Sequence, residues 1–245
     1  LGGGFRQDDI GVETLTFNDE LYLGGLFDSI GNIKVKNIAK WNGSNWSPLG
    51  TGSDGQITAL AVYNNELYAA GQFSVIGGIT ARGIARWDGA NWHALANGFT
   101  TFGASDLYVY NNSLYAVGMF GITGCTACQN IAYWNGINWN GVGTNGLTDA
   151  TNVALIEMNS KLIIGSHTET SPPTFLTEIR QWDGGTLTMF SKQNSVSVKK
   201  FYIFNNELYC SGGSGPTANV ESLVSKWSVG ASTCIPVGTG PNQSV

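Results

Sequence analysis

A chain of 245 residues with net charge −5 and only 12% charged residues is long enough for one sizeable all-β domain. It has no basic stretch of the kind that nucleic acid or an anionic membrane requires. No run of 18 apolar residues occurs, so no transmembrane segment is expected, and 34 glycines beside 42% hydrophobic residues indicate a turn-rich folded chain, not a disordered one.

The sequence begins at Leu1 without an initiator methionine or signal peptide, which reads as a removed leader or as a segment of a longer protein. Leu1-Gly2 aligns with Leu49-Gly50 and with Val237-Gly238. The two ends are thus copies of one linking segment, and either one copy frays or the array continues.

From residue 10 onward five repeats follow. Phe17-Asn18-Asp19-Glu20-Leu21-Tyr22 recurs at Tyr63, Tyr110, Met158 and Phe204, at spacings of 46, 47, 48 and 46. Trp41, Trp87, Trp134, Trp182 and Trp227 keep step, at spacings of 46, 47, 48 and 45. A period in the forties with strand-type patterning predicts a β-propeller, one four-stranded blade per repeat. The expectation is a single five-bladed, all-β domain over 1–245, with blades near 10–49, 57–95, 104–142, 152–190 and 198–237.

The second repeat is the clearest. Ile57 to Tyr63 is apolar on both faces, as an inner strand between neighbouring blades must be. Asn64-Asn65 makes a tight turn, because Asn tolerates positive φ. Strands are expected at Glu66 to Phe73, Arg82 to Trp87 and Asn91 to Leu95, with Asp88-Gly89 turning the last hairpin. All eight tryptophans fall in this last hairpin of each repeat; Trp46, Trp92 and Trp139 each follow a partner by five residues. They could form sugar platforms, but repetition in every blade favours packing between blades. Gly25, Gly71, Gly118 and Gly212 likewise suggest close strand approach.

Alternating strand direction puts the short turns on one face. The long second-to-third loops lie on the other, at 27–36, 73–82, 120–130, 167–178 and 213–221. Binding is expected on the long-loop face. These loops do not repeat well in sequence, which counts against repeated lectin sites.

Candidate sites follow in chain order. Asp8-Asp9 and Asp54 could bind a hard cation such as calcium, but lack EF-hand spacing; no other cofactor is indicated. Glu13, Ala59, Asp106, Ala154 and Lys200 align on the innermost strands. There Glu13, Asp106 and Lys200 are either the lining of a central site or ordinary polar strand ends. Cys125-Thr126-Ala127-Cys128 is expected to be a loop disulfide, since zinc would need two further ligands and the only histidines, His93 and His167, lie in other repeats. Such a bond implies an extracytoplasmic setting. His167 and Glu169 mark the divergent polar loop of the fourth repeat as a candidate binding element. Cys210 and Cys234 should be separated by one strand, beyond disulfide reach.

The run Leu67-Tyr68-Ala69-Ala70-Gly71-Gln72-Phe73, then Gly77-Gly78, then Ile84-Ala85-Arg86-Trp87-Asp88-Gly89-Ala90-Asn91-Trp92 resembles the kelch-like propeller repeats of secreted and surface-attached bacterial proteins. It is also similar to fungal cortical-marker propellers. The resemblance implies an exported, surface-associated module and transfers no catalytic residue. No nucleophile elbow, two-histidine metal motif, P-loop or dinucleotide fingerprint occurs. The expectation is therefore a secreted or cell-surface module, not an enzyme. It would bind protein or glycan through its long-loop face as an interaction or scaffold unit. A glycan-binding lectin is the alternative, and a hydrolase using acids of the inner strands is the third reading.

Overall fold

The computed structural model describes residues 10–144, 147, 152–171, 174–194, 198–212, 223–227 and 234–236. Among these no helix occurs, and five four-stranded antiparallel sheets carry the fold. The first contains β1 (Ile10–Phe17), β2 (Glu20–Leu26), β5 (Ile38–Trp41) and β6 (Trp46–Pro48), with a small hairpin of β3 (Ser29–Ile30) and β4 (Ile33–Lys34) between β2 and β5. The second repeats this with β7 (Gln56–Tyr63), β8 (Glu66–Gln72), the hairpin β9 (Val75–Ile76) and β10 (Ile79–Thr80), then β11 (Ile84–Trp87) and β12 (Trp92–Ala94). The third is β13 (Gly103–Tyr110), β14 (Ser113–Met119), β15 (Ile131–Trp134) and β16 (Trp139–Gly141). The fourth is β17 (Asn152–Met158), β18 (Lys161–Ser171), β19 (Thr174–Trp182) and β20 (Leu187–Asn194). The fifth is β21 (Lys200–Phe204), β22 (Glu207–Gly212), β23 (Leu223–Trp227) and β24 (Cys234–Pro236). Each sheet pairs its strands in sequence order. This is the architecture of a multi-bladed β-propeller.

The chain divides into two compact units, Leu1–Gly141 with three sheets and Val142–Val245 with two. In the first unit, β7 packs against β1 and β2 on one side and against β13 on the other. Tyr22, Ile38, Leu60 and Trp87 share one apolar cluster; Ala59, Tyr63, Leu107, Leu114 and Trp134 share the next. In the second unit Met158, Ile163 and Ile179 pack with Phe201, Leu208 and Trp227. The core therefore lies between sheets, and β7, packed on both sides, is apolar on both faces.

The first turn of every blade has both central residues at positive φ: Asn18-Asp19, Asn64-Asn65, Asn111-Asn112, Asn159-Ser160 and Asn205-Asn206. Two left-handed residues give the turn whose twist matches the flanking strands. In the last hairpin, Asn42, Asp88, Asn135 and Asp183 each accept two backbone N–H bonds on Oδ1 from the residues two and three positions on. That Asx clamp sets the register that makes Trp41–Trp46, Trp87–Trp92 and Trp134–Trp139 cross-strand pairs. Their ring centroids lie 5.5, 5.3 and 5.5 Å apart. Trp92 is buried and donates from Nε1 to the Leu49 carbonyl, 3.1 Å away at the end of the preceding blade. A Cβ on Gly77 would run into the Trp92 ring. One on Gly71 would strike the Gln56 carbonyl on the paired strand.

The second-to-third loops add a shared geometry and correct one expectation. In the first three blades they share one geometry despite their different sequences. Asn37, Gly83 and Asn130 all have positive φ, and their carbonyls accept Gly25, Gly71 and Gly118 N–H respectively. Asn37 and Asn130 also take the Phe27 and Phe120 N–H on Oδ1. In the fourth blade no loop spans 167–178. β18 and β19 continue as a hairpin to the Ser171–Thr174 pair. The segment lacks the glycines of its counterparts and is rich in threonine, whose β-branched side chain suits a pleated strand. The fifth long loop, 213–221, lies outside the described residues.

Cys125 and Cys128 form a disulfide with Cα atoms 5.3 Å apart. It stands where the first two blades have a small hairpin, beside an isolated Ile122–Cys125 bridge. Replacing both cysteines by serine should cost about 2 kcal/mol, the chain-entropy value for so short a loop; urea unfolding of the oxidised protein and the double variant measures it. Cys210, buried on β22, pairs with Ser225, while Cys234 on β24 pairs with Trp227. Strand β23 thus separates the two cysteines, as expected from sequence.

Candidate functional site

On the first strand of each sheet the aligned position pairs in the same way with the second strand. Glu13 faces Gly24, Ala59 faces Ala70, Asp106 faces Val117, Ala154 faces Gly165 and Lys200 faces Ser211. In the first three sheets a β-bulge immediately precedes this position, between Ile10 and Glu13, Ile57 and Ala59, and Ala104 and Asp106. Bulges re-aim side chains and are frequent beside active sites. The bulge residues Thr58 and Ser105 use their hydroxyls structurally. Thr58 Oγ1 donates to the Ala104 carbonyl of the next blade at 2.5 Å, and Ser105 Oγ to the Val117 carbonyl at 3.1 Å.

Glu13 is half-buried and Asp106 is 7% exposed. Asp106 Oδ1 accepts the Leu107 N–H at 3.1 Å, which fixes its carboxyl near the strand. Both acids belong to the first compact unit, on strands that flank β7. Lys200, also half-buried, belongs to the second. His167 and Glu169 sit on the extended part of β18, opposite Thr177 and Phe175, so the fourth-blade candidates lie on a strand and not in a loop.

Asp54 is committed to the chain itself: Oδ1 accepts the Ser74 and Val75 N–H groups at 2.8 and 2.9 Å. Asp8 and Asp9 lie outside the described residues. Among the described residues no group of three or more His, Cys, Asp or Glu side chains is placed to hold a metal ion.

On the long-loop side of the first blade, a cavity of about 430 Å³ opens between the β3–β4 hairpin and the segment after β6. Asp28, Ser29, Lys34, Lys36, Pro48 and Thr51 line it.

Sequence reasoning missed a set of cross-strand ion pairs. Lys40 Nζ lies 2.9 Å from Glu20, Arg86 pairs with Glu66, and Lys226 Nζ lies 2.6 Å from Glu207. Tyr22 and Tyr209 donate their hydroxyls to Glu20 and Glu207 at 2.9 and 3.2 Å. Burial, then the Glu20 carboxylate, pushes the Tyr22 hydroxyl up to about 12. The signal was a Glu at the start of the second strand with a cation 19 or 20 residues on, visible only once the strands are paired. The Lys40 and Lys226 ammonium groups hold the Glu20 and Glu207 carboxyls below their usual range. A depressed carboxyl contributes stability above its unfolded pKa and loses it as pH falls through the folded value. The urea midpoint should therefore drop as pH falls below about 4.5. A Lys40→Met/Lys226→Met variant should lose less over that range, and an equal loss would remove these pairs from the account.

No protein-family model matches the chain, and no curated protein matches it. Two similar solved structures are an α-L-arabinofuranosidase from Clostridium thermocellum and a glycoside hydrolase. The first is 13% identical with a TM-score of 0.49, covering 93% of this chain and 93% of that one. The second is 11% identical with a TM-score of 0.45; the match covers 97% of this chain and 64% of that longer one.

The resemblance to kelch-like repeats thus stands only at the level of β-propeller architecture. The expectation of a non-catalytic interaction or scaffold module, not an enzyme, is at odds with these two structures, which are both glycoside hydrolases, although at 11–13% identity and TM-scores of 0.45 and 0.49 they assign no role to this chain. That expectation rested on missing linear motifs. Fold does not fix function, and side chains that meet in space need not share a local motif. At these identities the likeness transfers no residue and no substrate.

Proposed function

We propose that this chain is an exported β-propeller that hydrolyses glycosidic bonds, with Glu13 and Asp106 as its carboxylate pair. The observation that carries this reading is the register equivalence of the two acids. Each follows a β-bulge on the innermost strand of its sheet, and the intervening sheet has Ala59 at that position. Glycoside cleavage requires two carboxyl groups in unlike environments, one donating a proton to the leaving oxygen and one acting as base or nucleophile. Asp106, more than nine-tenths buried, takes the acid role; Glu13, half-buried, takes the other.

The Cys125–Cys128 disulfide supports an extracellular or cell-surface setting. The motif likeness to kelch-like surface repeats agrees with that setting, and the single-domain reading of 1–245 belongs to the same proposal. The test is a reducing-end assay of the folded protein against neutral and acidic oligosaccharides. New reducing ends support hydrolysis. A blank panel overturns it, and binding without cleavage would favour a lectin.

A further inference from the structure

The lining of the first-blade cavity differs in charge from the same positions of the next two blades at Lys34 and Asp28, while Lys36 corresponds to Arg82 and Gln129. The position of Lys34 is Thr80 in the second blade and Ala127 in the third, and that of Asp28 is Ser74 and Gly121. Two lysines thus line one cavity of a chain that has only 12 cationic side chains and a net charge of −5. Both lysines are exposed and reach the cavity from alternate positions, on either side of buried Val35.

The rest of the lining is mixed. Ser29 Oγ donates to Asp28 Oδ1 at 3.0 Å, which orients that carboxylate as an acceptor. Thr51 adds a hydroxyl, and Pro48 adds an apolar face. The backbone beneath is fixed: Val35 N–H donates to the Asp28 carbonyl at 3.1 Å, and the Lys36 carbonyl accepts Ser53 N–H at 3.1 Å. A pocket with an apolar face and a few convergent polar groups on a pre-formed frame is what a small ligand needs.

We infer that this cavity is an anchoring subsite for a carboxylated sugar, such as a uronic acid residue of an acidic glycan. Lys34 and Lys36 take the sugar carboxylate by charge-assisted hydrogen bonds. Asp28, Ser29 and Thr51 take ring hydroxyls, and the apolar side of the ring lies on Pro48. About 430 Å³ accommodates one or two sugar rings. The subsite is separate from Glu13 and Asp106 and is read by binding, so it stands or falls independently of hydrolysis.

The test is titration calorimetry of the full chain with a tetragalacturonate, with a neutral galactose tetramer as control. Saturable binding of the acidic sugar only, weakening as salt is raised, is expected. Lys34→Gln/Lys36→Gln, which keeps the side-chain stems, should weaken it at least about tenfold while the thermal midpoint stays unchanged. Asp28→Asn should weaken it less. Absence of saturable binding, equal binding of the neutral tetramer, or unchanged affinity in the lysine variant overturns the site. Displacement of the sugar by a polyglutamate peptide at equal concentration overturns the sugar class.

Discussion

Trp92→Ala lowers stability by about 4 kcal/mol, a loss of roughly 10 °C in the unfolding midpoint. The ring is 5% exposed, faces Trp87 across β11 and β12, and spans to the preceding blade through the Leu49 carbonyl. Truncation removes a large apolar surface, opens a cavity beside Gly77 and takes away one of the two donors to the Leu49 carbonyl, which keeps the Gly52 N–H. Trp92→Phe keeps most of the packing and loses only the hydrogen bond, a cost of about 1 kcal/mol. Trp41→Ala, at a half-buried site, costs less than Trp92→Ala. Were these rings sugar platforms instead, Trp92→Ala would leave the unfolding midpoint in place and change only glycan affinity.

The second large effect concerns catalysis. Asp106→Asn retains the oxygen that accepts the Leu107 N–H and therefore keeps the strand intact, but it can no longer give up a proton. Cleavage should fall by about 10²- to 10⁴-fold, the usual contribution of a positioned acid or base. Glu13→Gln should fall at least as far. Thr58→Val is the structural control: it breaks the tie to the Ala104 carbonyl, lowers stability by about 1 kcal/mol, and leaves the rate per folded molecule unchanged. Rates of the three variants, normalised to folded protein by circular dichroism, separate the two roles.

Much of the fold was legible because its determinants are local. The Asn-rich turns need left-handed φ at two adjacent residues, and Asn supplies it without a glycine. The tryptophan pairs needed only a six-residue hairpin clamped by Asn42, Asp88 or Asn135 to fall in register. The alignment of Glu13, Ala59, Asp106, Ala154 and Lys200 survived intact, since each pairs with the residue eleven positions on.

Non-local features were not legible. Asn37, Gly83 and Asn130 look unrelated as letters, yet share a backbone conformation, so the common loop geometry was hidden. Polar residues from His167 to Thr170 suggested a loop, but cross-strand pairing outweighed composition. The Glu20–Lys40 and Glu66–Arg86 pairs join strands 20 residues apart. Glu13 and Asp106 were aligned in the sequence, but they belong to different repeats, and no spacing within one repeat says how near they stand.

The most direct measurement follows glycosidic-bond cleavage over time by the wild-type chain and a Glu13→Gln/Asp106→Asn variant at equal folded concentration, on the same oligosaccharide panel. The account predicts new reducing ends from the wild type and none above background from the variant. Equal cleavage by both, or none by the folded wild type on any glycan, would contradict it.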